Sequence, residues 1–246
     1  AATTLPDCSS PSDAGERVPG LSRYDDLGPL GVGGMGEVRR VRDRRLGRTL
    51  ALKTVHALAL DHPELVARFR EEAQATAQLQ HPGIVPIHDL GSLPDGRLWF
   101  TMKEVTGQTL GAVIASVHAV SRTRWQAAPS GWSLRRLVDA LRQVCEAVGY
   151  AHSRGVVHRD LKPANVMVGS HGEVLVLDWG LAKVLGSSVA SGGHDSIRTD
   201  RSAVSAHQTQ VGHVAGTPAF MPPEQALGEV DRIDARSDVY ALGAML

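Results

Sequence analysis

The 246 residues of the chain suffice for one large domain or two smaller ones, and an apolar fraction of 42% predicts a globular core. Lys plus Arg and Asp plus Glu balance at 26 each, which argues against the strongly basic field of a protein that binds nucleic acid or anionic membranes. Only Cys8 and Cys145 are present, far apart, so the sequence indicates neither a disulfide framework nor a thiolate zinc site, and we expect a reducing, cytoplasmic setting.

No apolar run reaches the roughly 20 residues that span a bilayer, and the N-terminus lacks the charged-then-apolar pattern of a signal peptide. We therefore expect no membrane segment in this chain. The first residue is not Met, so we expect the chain to be cut from a longer protein, in which a membrane span could follow residue 246.

Residues 1–22 are rich in Pro, Ser, Gly and Asp without an apolar period, and we expect a flexible N-terminal arm. Residues 23–104 have the pattern of a small α+β lobe. Short strands are predicted over residues 37–42, 49–55 and 98–102. One helix is predicted over residues 63–80, between the second and third of these strands.

The predicted helix over residues 63–80 carries an acidic residue in the middle of its apolar stripe. Asp61 is the expected N-cap, and Pro63 suits the first turn because its missing N–H is not needed there. At about 100° per residue, Glu72 projects from the centre of the stripe, whereas Glu71 points about 120° away toward solvent. A carboxylate on a buried face requires a partner, normally a cation. The residues that define the direction of the stripe are Leu65, Phe69, Thr76 and Leu79.

The C-terminal part, residues 105–246, is predicted to be a more helical lobe. A core helix is expected over residues 134–153, with Ser133 as its cap. The positions of its predicted apolar face are Leu134, Leu137, Val138, Leu141, Cys145, Val148 and His152.

A short hairpin is predicted after this helix. Its strands cover residues 166–168 and 174–177, and the turn between them covers residues 169–172. Two polar stretches, residues 121–131 and 185–214, are too poor in large apolar residues to pack, and we expect insertions or mobile loops.

Residues 30–38 read LGVGGMGEV and fit G-x-G-x-x-G-x-V, in which glycines let backbone N–H groups approach a phosphate. The glycines are Gly31, Gly33, Gly34 and Gly36. The same pattern also opens dinucleotide-binding βαβ units and occurs in bare turns. Here a strand-like run follows instead of a helix, and G-K-[ST] is lacking, so the dinucleotide-dependent oxidoreductase and P-loop interpretations weaken.

Residues 50–53 (LALK) lie on the next predicted strand, where period-two alternation places Ala51 and Lys53 on the same face, so that Lys53 points into whatever the glycines cover. A strand Lys by itself commonly extends to water. The buried Glu72 favours a functional interpretation, because it needs a cation and Lys53 is the one that the pattern offers.

The most specific blocks are residues 156–165 (VVHRDLKPAN) and 176–180 (VLDWG). On these residues the chain resembles the eukaryotic-like protein kinase family, with a likeness to its bacterial members, over residues 24–246. The family's markers occur in order: the glycine loop, Lys53, Glu72, His158-Arg159-Asp160, Asn165, Asp178 with Gly180, Gly216-Thr217-Pro218, and Pro223-Glu224. The resemblance implies an α+β, bilobal protein-kinase-like fold, with a β-rich N-terminal lobe containing one key helix and a mainly helical, incomplete C-terminal lobe.

Asn165 immediately precedes one strand of the predicted hairpin and Asp178 immediately follows the other, so both lie at its open end. Two oxygen ligands there suit a hard cation such as Mg²⁺. Either residue alone is better explained as a capping Asn or a turn Asp, but those roles do not explain the pair beside residues 158–160. In the family the matching residues hold Mg²⁺.

The resemblance implies an ATP-dependent Ser/Thr protein kinase that acts on hydroxyl groups of protein substrates. Asp160 would orient the substrate hydroxyl and accept its proton, and Lys162 would balance charge on the transferred group. Lys53, paired with Glu72, would hold the α- and β-phosphates of ATP. The combination of Lys162 and Thr217 resembles Ser/Thr kinases rather than Tyr kinases.

Residues 100–105 resemble the strand and hinge behind adenine. Met102 would be the gatekeeper, the adenine edge would pair with backbone groups of Lys103 and Val105, and the hinge would lie near Glu104. The apolar roof would be formed by Val38 and Ala51. An ordinary buried strand end is the alternative that the sequence leaves open.

The predicted activation segment, residues 178–224, departs from the family at two positions: Trp179 replaces the usual Phe, and Pro222 the usual Ala. We expect phosphorylation within this segment, with the phosphate pairing with Arg159. An unmodified polar insertion is the alternative. The candidate hydroxyls are Ser187, Ser188, Ser191, Ser196, Thr199, Ser202, Ser205 and Thr209.

In the family, the residue matching Asp238 bonds to the backbone of the catalytic loop, and further helices follow. Without them we expect Glu224 to lack a partner, the apolar helix near residue 240 to be uncovered, and the isolated chain to be poorly soluble or inactive. The alternative function is a truncated kinase-like module that binds nucleotide or a partner without turnover.

Overall fold

The structure is a computed structural model that describes residues 16–17, 21–33, 36–184, 197, 199 and 216–246. The strands are β1 (Glu16–Arg17), β2 (Tyr24–Val32), β3 (Gly36–Asp43), β4 (Arg48–Val55), β5 (Ile87–Ser92), β6 (Leu98–Lys103), β7 (Gly107–Thr109), β8 (Val156–Val157), β9 (Val166–Gly169), β10 (Val174–Val176) and β11 (Lys183–Val184). The α-helices are α1 (Pro63–Gln78), α2 (Leu110–Val120), α3 (Leu134–Ser153), α4 (Pro223–Ala226) and α5 (Ala235–Met245). Short 3-10 helices cover Ala57–Asp61, Pro163–Asn165, Pro218–Phe220 and Val230–Arg232.

The N-terminal lobe is built on an antiparallel sheet with the strand order β1-β2-β3-β4-β6-β5. Side chains alternate along β4, as predicted, because successive residues of a strand point to opposite faces. Leu50 and Leu52 pack with Tyr24 on one face, whereas Val55 packs on the other face with Phe100 and α1. This second face is the one that carries Lys53.

Strand β1 lies inside the segment that was predicted to be a flexible arm. Its two residues pair antiparallel with Asp25 and Asp26 of β2. An edge strand exposes a row of free N–H and C=O groups, which a neighbouring segment can satisfy whatever its side chains are. The prediction of an unstructured arm is therefore wrong at residues 16–17, and residues 1–15 and 18–20 lie outside the described part of the chain.

Helix α1 confirms the predicted stripe, since Phe69, Glu72 and Thr76 are all buried. The predicted cap is wrong. Asp61 ends a 3-10 helix, and His62 occupies the position before α1 without a capping hydrogen bond from its side chain. Because the 3-10 turn runs almost directly into α1, the start of the helix is set by the preceding turn rather than by a side-chain cap.

Helix α3 begins after Ser133, as predicted, and the Ser133 hydroxyl accepts a hydrogen bond from the N–H of Arg136. Its buried face differs from the prediction. Leu134, Val138 and Cys145 are exposed. The buried residues are Ala140, Val144, Ala147, Val148 and Ala151. Small alanine side chains let the helix approach β8 and β10 closely, but alanines contribute little to an apolar pattern read from sequence.

The predicted hairpin is confirmed as β9 and β10, with Val166 opposite Val176. Strand β7 adds to the other side of β9, giving the order β10-β9-β7. The N–H of Leu177 donates to the carbonyl of Asn165 at 2.9 Å, which closes the open end of the hairpin.

Helix α5 leaves Val239 and Tyr240 exposed, as expected, while Ala241 is buried. The prediction that Glu224 lacks a partner is wrong, because the hydroxyl of Ser237 donates to its Oε1 at 2.5 Å. The first turn of α5 lies against α4 and so supplies a donor that the sequence pattern does not reveal. Among the described residues, no helix has the length and apolarity that a membrane span requires.

The side chain of Asp43, at the end of β3, is fully buried. Arg23 donates to both of its oxygens, from Nε to Oδ1 at 3.1 Å and from Nη2 to Oδ2 at 2.7 Å. This guanidinium holds the pKa of Asp43 below its ordinary value of 3.8. Arg23 also reaches Asp89 of β5 at 3.1 Å, so the cluster connects two distant strands of the sheet.

We expect Asp43→Asn to lower the free energy of unfolding by about 1 to 2 kcal/mol near neutral pH, a value discounted because Arg23 is partly exposed. Since the folded-state pKa is lowered, this contribution is complete above the unfolded-state pKa and is lost as the pH falls through the folded-state pKa. Urea denaturation of wild type and variant should therefore give a constant difference above the ordinary Asp pKa of 3.8, and a difference that shrinks as the pH falls below it.

Asp95→Asn is the control for this prediction, because Asp95 pairs with Arg97 but remains half exposed. Its effect on the free energy of unfolding should be smaller. A difference between wild type and Asp43→Asn that does not change with pH would contradict the role given to the Asp43 charge.

Candidate active site

The glycine loop connects β2 to β3. The N–H of Gly33 donates to the carbonyl of Gly36 at 2.8 Å. A Cβ added at Gly36 would lie 2.1 Å from the carbonyl oxygen of Thr54, so the packing of β3 on β4 requires glycine there. A Cβ added at Gly31 meets nothing within 4 Å, which leaves open space beside the backbone where a ligand could approach. Gly34 lies outside the described residues.

Lys53 meets two carboxylates that come from different parts of the chain. Its Nζ lies 2.7 Å from Oε1 of Glu72 on α1 and 3.5 Å from Oδ1 of Asp178. Glu72 is 5% exposed, and the pairing that its position on the buried stripe required is confirmed. A Cβ added at Gly180 would lie 3.1 Å from Oε2 of Glu72, so the glycine after Trp179 makes room for this carboxylate.

Burial raises the pKa of Glu72, and the nearby ammonium group of Lys53 offsets part of this effect. Burial alone would lower the pKa of Lys53, but the attraction of Glu72 and Asp178 outweighs it and leaves that pKa above its ordinary value. Lys53 therefore remains protonated at neutral pH. It presents a fixed positive charge below the glycine loop, of the kind that binds phosphate.

The carboxylate of Asp160 is held by three residues. Lys162 Nζ donates to Oδ2 at 2.8 Å, and Asn165 Nδ2 donates to Oδ2 at 3.1 Å and to the Asp160 carbonyl at 2.8 Å. The N–H and hydroxyl of Thr217 donate to Oδ1 at 3.1 and 3.2 Å. Lys162 also donates to the Thr217 hydroxyl at 2.7 Å. The predicted residues 160, 162 and 217 therefore meet, although Thr217 is distant in sequence.

The backbone of the catalytic loop, residues 158–165, is held in an unusual conformation. Arg159 has φ 72°, a left-handed value that is rare outside glycine. The buried carboxylate of Asp238 on α5 accepts the N–H of His158 at 2.8 Å and the N–H of Arg159 at 2.9 Å. The same carboxylate lies 2.7 Å from the ring nitrogen Nε2 of His152 on α3. The bonds expected from Asp238 to the catalytic loop are thus present.

Asn165 and Asp178 lie at the end of the β9–β10 hairpin, where the sequence predicts a metal site. The amide nitrogen of Asn165 donates to Asp160, so the amide oxygen is the atom that could bind a cation. The carboxylate of Asp178 is half exposed, and its backbone has φ 58°, another left-handed value. An amide oxygen and an accessible carboxylate are donors of the type that Mg²⁺ takes, so these residues fit that ion.

The segment predicted to contact adenine lies at the end of β6. Ala51 of β4 is buried opposite Met102, and Val38 is opposite Lys53. The N–H of Lys103 donates to the carbonyl of Pro86 at 3.1 Å. This N–H already has a partner, so the predicted pairing of Lys103 with adenine would use its backbone carbonyl.

Two contacts at this site were not predicted from the sequence. Arg40 of β3 donates from Nε to Oε1 of Glu104 at 2.7 Å, which connects the strand after the glycine loop to the predicted hinge. His56, just after β4, lies with Nε2 2.9 Å from the carbonyl oxygen of Gly33. Alternation along β3 indicates where Arg40 points, but its partner is 64 residues away and no local pattern identifies it.

Comparisons with known proteins agree with this geometry. The family model for the protein kinase domain matches residues 24–246. The serine/threonine-protein kinase PknD of Protochlamydia amoebophila is 38% identical over 227 residues, which cover 91% of this chain and 22% of that protein. PknB of Mycolicibacterium smegmatis is 38% identical over 233 residues, which cover 92% of this chain and 32% of that protein.

A third relative, PknB of Mycobacterium tuberculosis, is 37% identical over 230 residues, 92% of this chain and 32% of that protein. The chain thus spans between about a fifth and a third of the length of these curated relatives. The family match runs through both the β-rich lobe and the helical lobe, in agreement with the predicted bilobal fold. This chain belongs to the protein kinase domain family.

Proposed function

We propose that the protein is an ATP-dependent serine/threonine protein kinase, which transfers the γ-phosphoryl group of ATP to Ser or Thr hydroxyls of protein substrates. The observation that carries this proposal is the Asp160 carboxylate, held by Thr217 with the ammonium group of Lys162 beside it. The relatives with 37 to 38% identity are named serine/threonine-protein kinases, which supports the same reaction.

Asp160 acts on the substrate hydroxyl. The hydroxyl donates a hydrogen bond to the carboxylate, which orients an oxygen lone pair toward the γ-phosphorus and takes the proton as the new P–O bond forms. The bond between the γ-phosphorus and the β–γ bridging oxygen breaks, and ADP leaves with that oxygen. Lys162 supplies positive charge where the oxygens of the transferred group become more negative. Thr217 and Asn165 keep the carboxylate in place, so little reorganisation is needed during the reaction.

Lys53 acts on ATP. Its ammonium group, held by Glu72, would bind the α- and β-phosphates covered by the glycine loop, and ATP would bind between the two lobes at the hinge near Glu104. The residues proposed to surround the nucleotide are Gly31, Gly33, Gly34, Gly36, Val38, Ala51, Lys53, Met102, Lys103, Glu104 and Val105. For Lys103 the contact is restricted to groups other than its N–H, which binds Pro86.

Asn165 and Asp178 are the proposed ligands of Mg²⁺. When bound, the ion neutralises negative charge on the phosphate groups of ATP. The chain's own contribution is the orientation of the two donors, because Asp160 holds the amide of Asn165 and Lys53 lies 3.5 Å from Asp178.

We place the N-terminal lobe at residues 23–104, the C-terminal lobe at residues 105–246 and the activation segment at residues 178–224, with the kinase acting in the cytoplasm. Phosphorylation within the activation segment stays a prediction. Of its candidate hydroxyls, Thr199 is buried. The others, Ser187, Ser188, Ser191, Ser196, Ser202, Ser205 and Thr209, lie outside the described residues.

Asp160→Asn should reduce phosphotransfer by about 10²- to 10⁴-fold, because an amide cannot accept the substrate proton. Transfer of labelled phosphate from ATP to a generic protein substrate measures the rate, and ADP binding by calorimetry should stay unchanged. Asp139→Asn, on the exposed side of α3, is the control. Equal rates for wild type and Asp160→Asn would refute the mechanism. Wild-type protein that binds ADP without transfer would be a binding module instead.

Glu72→Gln should lower kcat/KM for ATP by about 10- to 100-fold, because Lys53 loses its nearest anionic partner and shifts away from the phosphate position. Initial rates measured over a range of ATP concentrations test this. The neighbouring Glu71→Gln removes the same charge from another face of α1 and should leave kcat/KM near the wild-type value. If both substitutions had the same effect, a general property of α1 would be responsible, not the ion pair.

Asp178→Asn should raise the Mg²⁺ concentration for half-maximal rate by on the order of tenfold or more, since the cation loses a charged ligand. The measurement is the phosphotransfer rate as a function of free Mg²⁺ at fixed ATP. Asp61→Asn, on an exposed residue before α1, controls for loss of a negative charge. An unchanged Mg²⁺ requirement would remove Asp178 from the metal site.

A further inference from the structure

We infer that Gln225 is a positioning residue for Asp160, acting through a hydrogen bond from its side-chain amide to the backbone of the catalytic loop. The inference rests on the proposed function, because it assigns a further residue to the same reaction. Gln225 lies on α4, outside the motifs that carry the family resemblance. None of the contacts described above joins it to Asp160 or to a residue proposed to bind ATP.

The side chain of Gln225 is 2% exposed. Its Nε2 donates to the carbonyl oxygen of Arg159 at 2.7 Å, across a sequence separation of 66 residues. Its own N–H donates to the carbonyl of Pro222 at 3.1 Å, which fixes the base of the side chain in the first turn of α4. A buried amide therefore connects the end of the activation segment to the residue that precedes Asp160.

The hydrogen bond from Gln225 is made to the residue of the catalytic loop whose backbone is strained. Arg159 has φ 72°, and its N–H is held by Asp238 at 2.9 Å. Gln225 holds its carbonyl from the other side. The two peptide groups that flank Arg159 are therefore fixed by side chains from α5 and α4. Left-handed values at a non-glycine residue persist only where surrounding contacts determine the backbone on both sides.

Gly216 provides the space for this bond. It has φ 131°, and a Cβ added there would lie 2.6 Å from Nε2 of Gln225 and 3.5 Å from the Arg159 carbonyl oxygen. Any side chain at position 216 would thus displace the Gln225 amide. The next residue is Thr217, whose N–H and hydroxyl both donate to Asp160.

Gln225 consequently lies beside the residue before Asp160 and beside the residue before Thr217. Loss of its donor leaves the carbonyl of Arg159 without this bond, and the peptide group that leads into Asp160 can rotate toward other partners. We expect the Asp160 carboxylate to shift relative to Thr217, which donates to its Oδ1. The Lys53–Glu72 pair, on the sheet and α1, has no contact with Gln225 among those described.

Gln225→Met keeps the length and volume of the side chain but removes the donor. We expect kcat for phosphorylation of a protein substrate to fall by about 10- to 100-fold, because small misplacements of a catalytic group cost rate rather than nucleotide affinity. KM for ATP and the dissociation constant of ADP should remain within about twofold of wild type. Rates are normalised to the fraction of protein that binds ADP, so partial misfolding does not imitate the effect.

The matched control is Gln78→Met. Gln78 also donates its Nε2 to a backbone carbonyl, that of Gln74, at 2.8 Å, but within α1 and away from the catalytic loop. It should retain wild-type kcat. Gln225→Glu is a second test variant of similar size, which places an acceptor opposite the Arg159 carbonyl. Its kcat should be reduced at least as much as that of Gln225→Met.

Hydrogen–deuterium exchange of residues 158–162 provides a readout that needs no activity. Exchange should be faster in Gln225→Met than in wild type, whereas exchange within α1 should not change. The inference would be overturned if both Gln225 variants kept the wild-type kcat and the wild-type exchange rate. It would also be overturned if the variants lost ADP affinity by the same factor as kcat. Wild-type protein without phosphotransfer would instead refute the proposed function, and the exchange result would then decide the role of Gln225 by itself.

Discussion

The conformation of the catalytic loop depends on one buried carboxylate, that of Asp238. It is 1% exposed and accepts two backbone N–H groups of the loop, from His158 and Arg159, while His152 contacts it from α3. Hydrogen bonds to an ionised acceptor are strong in a buried site, and a missing partner there is costly. This carboxylate therefore stabilises a left-handed residue directly before Asp160, and the direction of the Asp160 side chain follows from it.

A second electrostatic contact connects the two lobes. Glu72 comes from a helix packed on the N-terminal sheet, and Asp178 follows a hairpin of the C-terminal lobe, yet both lie next to Lys53. Burial makes a charged Glu72 unfavourable unless a cation is near, so α1 is drawn toward β4 whenever the carboxylate is ionised. The half-exposed Asp178 is the more accessible of the two carboxylates, which agrees with its proposed role as a metal ligand.

Periodic patterns predicted the fold well where one face of an element is lined by large apolar side chains. The alternation along β4 and the buried Glu72 on α1 are confirmed for this reason. The predicted buried face of α3 was wrong because alanines such as Ala140 and Ala147 form the surface that packs on the core. Their small size favours burial only once the neighbouring strands are in place. Likewise Ser237 became the partner of Glu224 only through the packing of α5 beside α4.

The sequence by itself determined the family and the bilobal class, and it predicted the residues that meet around Lys53 and Asp160, because glycines, a buried acid and ordered polar motifs are local signals. The tertiary structure decided the partners. Thr217 lies 57 residues from Asp160, Glu104 lies 64 residues from Arg40, and Gln225 lies 66 residues from Arg159. A hydrogen bond forms only when donor and acceptor lie within about 3 Å of each other. For these pairs that distance is reached only when separate elements pack together in the folded chain, so no periodicity or motif spacing in the sequence specifies them.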